Sequence, residues 1–209
     1  MIQFSLFGIP IQIQPFFWVT MALLGGATRA STSDALLQLG LFVIAGFISI
    51  LVHELGHALT IKSYRLPTSI TLQAFGGYAS YPAGRLNRLQ NFLVTAAGPA
   101  LQLVLALVAH VILHRIPPNE GMIMFFRALK WVSILWALLN LLPVLPLDGG
   151  HLVNSVLGPR RIKITLWITI VTAVVVGVYG IISHQIFLTV LLGMFAYQAF
   201  QALKENNWR

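Results

Sequence analysis

Long apolar runs, separated by short polar segments, set the pattern of this chain. They fall at about residues 16–27, 36–64, 89–113, 121–142, 164–182 and 186–203. A helix needs about 20 apolar residues to cross a bilayer, and the runs predict about six transmembrane helices, the first extended by the residues before it. Two stretches break the helical pattern. In MIQFSLFGIPIQIQP, Ile2, Phe4 and Leu6 take alternate positions, and Ile11 and Ile13 alternate with Gln12 and Gln14, while Gly8, Ile9 and Pro10 punctuate it. This period of two predicts a short hairpin at the membrane surface. LPTSITLQAFGGYASYPAGR, residues 66–85, reads as strand, tight turn and strand, with Gly76 and Gly77 at the turn. The two hairpins can pair into one small sheet. The fold class expected is an all-α polytopic membrane protein carrying a small membrane-associated β-sheet.

Composition supports that class. Of 209 residues, 57% are hydrophobic and 9% charged, and the mean hydropathy is +0.83; a soluble domain carries about 25% charged residues. No room is left for a separate soluble domain, so residues 1–209 are expected to form one membrane domain. The net charge of +8 comes from basic residues at the ends of apolar runs, a membrane pattern and not a track for nucleic acid. Cysteine is absent, so any metal must be held by His, Asp or Glu. The start of the chain lacks the features of a signal peptide, and its first residues are expected in the mature protein. The pattern carries no signal of oligomeric state.

The second apolar run contains His53, Glu54, Leu55, Gly56 and His57. Helix positions four apart lie about 40° and about 6 Å from one another, so the two imidazoles can share one metal ion. Glu54, turned by about 100°, can reach a water on that ion without being a ligand. An ionisable group inside a membrane helix costs about 2.5–3.5 kcal/mol on insertion scales, which makes a functional role the better explanation of this cluster. Only five acidic residues exist, Asp34, Glu54, Glu120, Asp148 and Glu205, and of these Glu54 and Asp148 lie inside or beside the membrane. His110 and His114 are also four apart, but sit at the end of the third run beside Arg115, Pro117 and Pro118, with no neighbouring acid. They and His184 read as interfacial residues.

Ala96, Ala97, Gly98, Pro99 and Ala100 put small residues and a helix-weakening proline in the third run, as expected where it packs on the metal-bearing helix. Gln102 can hydrogen-bond across that contact. The fourth run ends in NLLPVLPLDGGH, from Asn140 to His151, where Pro143 and Pro146 stop the helix and Gly149 and Gly150 permit a sharp turn beside Asp148. Free backbone at membrane depth is tolerated only under cover of protein or a water-filled cavity. Six helices place both termini on one side. With the amino terminus inside, Lys62, Arg65, Arg85, Arg88, Arg160, Arg161, Lys163, Lys204 and Arg209 face inward, against Arg29, Arg115, Arg127 and Lys130 outside, nine to four. Both termini are therefore expected in the cytoplasm. On this topology the His53–His57 motif and Asp148 meet near the inner surface, the metal roughly 8–11 Å below it.

HELGH at 53–57, AAGPA at 96–100 and NLLPVLPLDGG at 140–150 occur in the order found in the site-2 protease family of intramembrane zinc metalloproteases, which the chain resembles over residues 36–150. Phe75, Gly76 and Gly77 look like that family's membrane-associated hairpin. The chain departs from the family in having Gln102 where many members have Asn, and it lacks the PDZ or CBS domain that many carry. The resemblance implies one Zn²⁺ per chain with His53, His57 and Asp148 as ligands and Glu54 as the proton-transferring base. Catalytic zinc commonly takes three protein ligands and keeps a fourth position for water. It also implies a role for Asn140 toward the substrate backbone or oxyanion, the other reading of that residue being a cap on the broken helix. The partners expected are the lipid bilayer of a prokaryotic cell and a transmembrane protein or peptide substrate, unwound so that its carbonyls are open to attack. The hairpin near residues 68–80 either binds that substrate by strand addition or seals the protein against the bilayer. His151 supports the site or merely lies at the interface. Three other readings stay open: a zinc transporter, a silent scaffold, and another HExxH membrane protease with a different third ligand.

Overall fold

The structure is a computed structural model that describes residues 1–115, 117 and 119–205; Pro118 and Arg209 lie outside this set. Two compact units emerge, one of Met1–Arg85 and Ala96–Leu138, the other of Leu86–Thr95 and Leu139–Arg209.

The first unit opens with strands β1 (Ile2–Leu6) and β2 (Ile9–Ile13), then helix α1 (Pro15–Leu24) and the long helix α2 (Ser33–Ser63). Phe7 and Gly8 join β1 to β2 with φ of 52° and 70°, the left-handed pair that matches the twist of a two-residue hairpin. Thr32 caps α2 by accepting from the Ala35 amide at 3.2 Å, and Asp34 and Lys62 stand at the ends that favour their charges. β3 (Ser69–Gln73) and β4 (Gly76–Ser80) follow. The two hairpins do form one sheet, ordered β1-β2-β3-β4. β2 and β3 run parallel, Ile11 opposite Ile70 and Ile13 opposite Leu72. Pro10, which cannot donate, falls just before that ladder starts.

Alternation gives the sheet one apolar face. Ile9, Ile11, Ile13, Ile70 and Leu72 are buried against Ile50, Leu51, Leu55 and Ala58 of α2 and Phe17 and Met21 of α1. The sheet thus covers the same turns of α2 that carry the His-Glu-His motif. Lys62 Nζ donates to the Phe7 carbonyl at 2.5 Å, tying the hairpin tip to the end of α2. Helices α3 (Arg88–Leu113) and α4 (Glu120–Asn140) bring Ala109 and Leu129 onto Ala45 of α2.

The second unit holds α5 (Asp148–Leu157), α6 (Ile162–Ile182) and α7 (Ile186–Glu205). Val144, Ala173 and Leu192 form its core. Arg88 donates to the Ser155 carbonyl at 3.1 Å and the Val156 carbonyl at 2.5 Å, closing the end of α5. Outward-facing Val171, Val174, Val175, Val178, Ile181 and Ile182 of α6 are all at least 49% exposed, a surface suited to lipid.

Five helices among the described residues are long and apolar enough to cross a membrane: Ser33–Ser63, Arg88–Leu113, Glu120–Asn140, Pro159–Ile182 and Ile186–Glu205. This is an integral membrane protein. The expected first membrane helix forms, but as the ten residues Pro15–Leu24, about 15 Å, half a hydrocarbon core. The residues expected to lengthen it pair as β2 instead. Two glycine expectations also change. Gly76 and Gly77 lie in β4, the turn being Ala74 and Phe75. Gly149 and Gly150 lie in the first turn of α5, a helix not anticipated between the prolines and the fifth apolar run.

Candidate metal centre

His53, Glu54 and His57 sit in the last third of α2 and are 3%, 4% and 8% exposed. The four-residue spacing sets the imidazoles edge to face, at 78°, with their Nε2 atoms 3.1 Å apart. Two nitrogens bound tetrahedrally to zinc at about 2.05 Å are about 3.3 Å apart, so the pair fits a shared ion. Glu54 points from the neighbouring face toward the sheet, where a Cβ on Gly77 would lie 2.7 Å from its Cγ and 2.8 Å from Oε1.

Glycines allow the neighbours this close. A Cβ on Gly98 of α3 would strike the His57 ring, and one on Gly56 would strike the Ala97 carbonyl. The small-residue stretch thus brings α3 against the motif, as expected, with Pro99 carried inside the continuing helix. On the other side of His53, its Nδ1 lies 2.9 Å from Gln102 Oε1. Ser49 and Ser133, unremarked in the sequence, are fully buried and hydrogen-bonded at 2.9 Å; Ser49 lies one turn before His53, the one signal that could have drawn attention to it.

Asp148 is the first residue of α5, half-buried. The Gly149 and Gly150 behind it press on backbone, a Cβ on either striking Leu141, Leu142, Val144 or Leu145. Among the described residues, His53, His57 and Asp148 are a group that could hold a metal ion, each offering one ligand atom. Asn140 is the last residue of α4 and half-buried. Phe75 is 56% exposed at the hairpin tip, and Gly76 is buried, a Cβ there lying 3.3 Å from Trp136. His151 in α5 and His184 after α6 are exposed. His110 and His114 are exposed too, and His114 Nδ1 donates to the carbonyl of His110 at 2.8 Å.

The chain is similar in fold to the solved site-2 protease from Methanocaldococcus jannaschii, with a TM-score of 0.68 over 96% of this chain and 94% of that one at 23% identity. The fold is that of a site-2 protease. The Peptidase family M50 sequence model matches residues 114–182. A Synechocystis protein named as a candidate zinc metalloprotease is 32% identical over 93% of this chain and 57% of its own length. A zinc metalloprotease of Methanocaldococcus jannaschii is 25% identical over 98% of this chain and 60% of its own. Stage IV sporulation protein FB of Bacillus subtilis is 32% identical over 69% of this chain and 46% of its own. The chain thus spans 57%, 60% and 46% of the length of these three relatives. The likeness to the site-2 protease family, first drawn from three motifs, is borne out by relatives and fold together.

Proposed function

We propose that this chain is a zinc-dependent intramembrane endopeptidase that hydrolyses peptide bonds within or near transmembrane segments, working as one catalytic domain with its core at residues 36–150. The observation that carries the reading is the buried pair of Nε2 atoms 3.1 Å apart with Glu54 between them in sequence, on a helix apolar enough to span a membrane. His53, His57 and Asp148 are the ligands in this reading, one zinc per chain. Two neutral imidazoles and a carboxylate are a donor set suited to it, and the relatives' names carry zinc.

Bound zinc supplies Lewis acidity, acidifying water and polarising a carbonyl. The chain's own residues do the rest. Glu54 takes the proton of the attacking water and returns it to the leaving amine. Gly77, lacking a side chain, leaves room for the Glu54 carboxylate and brings the β4 backbone beside it. β4 pairs with β3 on one side and is the outer strand of the sheet, so an unwound substrate can add to its other edge with its scissile bond near Glu54. Phe75 at the tip offers an apolar contact for that segment. Asn140 donates to the substrate backbone or to the developing oxyanion. Unwinding is required because a helical substrate engages each carbonyl in its own hydrogen bonds.

With β2 and α1 together taken as the first crossing, the excess of basic residues at alternate loops supports cytoplasmic termini and a site toward the cytoplasmic face of a prokaryotic membrane. The test is proteolysis of a panel of single-span membrane proteins in liposomes, with zinc stripped by a chelator and then restored. Cleavage that disappears and returns with the metal supports the reading. Zinc flux into the liposomes without cleavage favours a transporter.

A further inference from the structure

Gln102 is fully buried on α3, and none of the chemistry above uses it. Its amide is held at both ends. Nε2 donates to Ser49 Oγ at 2.8 Å and to the Ser49 carbonyl at 3.4 Å, and Ser133 Oγ donates to the same Ser49 Oγ at 2.9 Å. A carbonyl only accepts, so the NH₂ end faces Ser49 and the Oε1 end faces His53 Nδ1, 2.9 Å away. Oε1 also only accepts, so the proton of His53 sits on Nδ1. A neutral imidazole protonated there carries its lone pair on Nε2, the atom turned toward His57 Nε2.

We propose that Gln102, locked in orientation by Ser49 and Ser133, is a positioning residue that fixes His53 in the Nδ1-protonated tautomer and sets its ring for the metal. The proposal rests on the reading of His53 as a ligand. Burying an amide and two hydroxyls among three apolar helices costs free energy unless each is paired, and aliphatic side chains fill such space at no polar cost. Here α2, α3 and α4 each contribute one member of the Ser49, Gln102 and Ser133 set, and the set ends on a ligand nitrogen. Partners of this kind raise metal affinity by about 10–100-fold when intact.

The experiment uses the full chain in detergent and reads the zinc dissociation constant by chelator competition. Gln102→Met keeps the volume but removes the acceptor, and is expected to weaken zinc binding by about 10–100-fold. Gln102→Glu keeps an acceptor against Nδ1 and is expected to bind zinc within about threefold of the parent. A link that only joins helices affects both variants alike. Gln102→Met binding zinc as tightly as the parent overturns the proposal, as does Gln102→Glu binding as weakly as Gln102→Met. The parent protein supplies a readout free of any folding defect: in zinc-free protein, nitrogen NMR of His53 is expected to show protonated Nδ1 and unprotonated Nε2, and the opposite tautomer overturns the proposal. His53→Ala separates the two levels. If it binds zinc normally, the ligand reading itself fails; if it loses zinc while Gln102→Met does not, only the positioning role fails.

Discussion

His53 and His57 on α2 and His110 and His114 on α3 have the same four-residue spacing, and their ring centroids stand 4.8 and 4.4 Å apart. Spacing alone does not distinguish them. In the first pair the Nε2 atoms converge to 3.1 Å, Gln102 takes the outer nitrogen of His53, and Gly98 lets α3 close over the ring of His57. In the second pair His114 turns Nδ1 to the carbonyl of its own helix, and both rings are exposed. A metal pair needs both nitrogens aimed and the ring backs supported, and packing supplies that only at the first.

The contrast can be broken or sharpened by substitution. The largest effect is expected from His53→Ala or His57→Ala, each of which leaves two of three proposed ligands. Zinc retention and proteolysis should be lost together, measured by metal analysis of the purified protein and a cleavage assay. Gly98→Ala should come next, because the new methyl group occupies the place of the His57 ring. A displaced ligand should cost zinc affinity by at least about tenfold, measured by chelator competition. Gly77→Ala presses instead on Glu54, its Cβ falling 2.8 Å from Oε1. A misplacement of about 1 Å can cost about 10²-fold in rate, so kcat should fall strongly while bound zinc stays at one per chain. His110→Ala and His114→Ala should do least, leaving zinc content and cleavage unchanged and stability within about 0.5 kcal/mol, measured by thermal unfolding.

Periodicity made most of this fold legible. The second to fourth apolar runs, expected at 36–64, 89–113 and 121–142, form helices at Ser33–Ser63, Arg88–Leu113 and Glu120–Asn140, and alternation marked both hairpins. Hydrophobic pattern reports burial directly, and these elements are defined by what they bury. Glycine was less legible. Gly76, Gly77, Gly149 and Gly150 look like turn residues in a linear sequence, yet the atoms they avoid come from Trp136, Glu54 and the 141–145 backbone. Close approach leaves the same letter as a turn, and only the folded neighbours separate the two. The His-Glu-His spacing was visible because one helix carries it. Ser49 and Ser133 were not, because their meaning depends on a contact between helices 84 residues apart in sequence.

The most direct test of the central claim is Glu54→Gln, which replaces the proposed base with a near-isosteric amide that cannot accept the proton. Purified parent and variant should be compared for bound zinc and for cleavage of the same reconstituted single-span substrate. The expected result is equal zinc in both, with cleavage by the variant lower by about 10²–10⁴-fold. Equal cleavage by parent and variant at equal zinc would contradict Glu54 as the group that moves the proton.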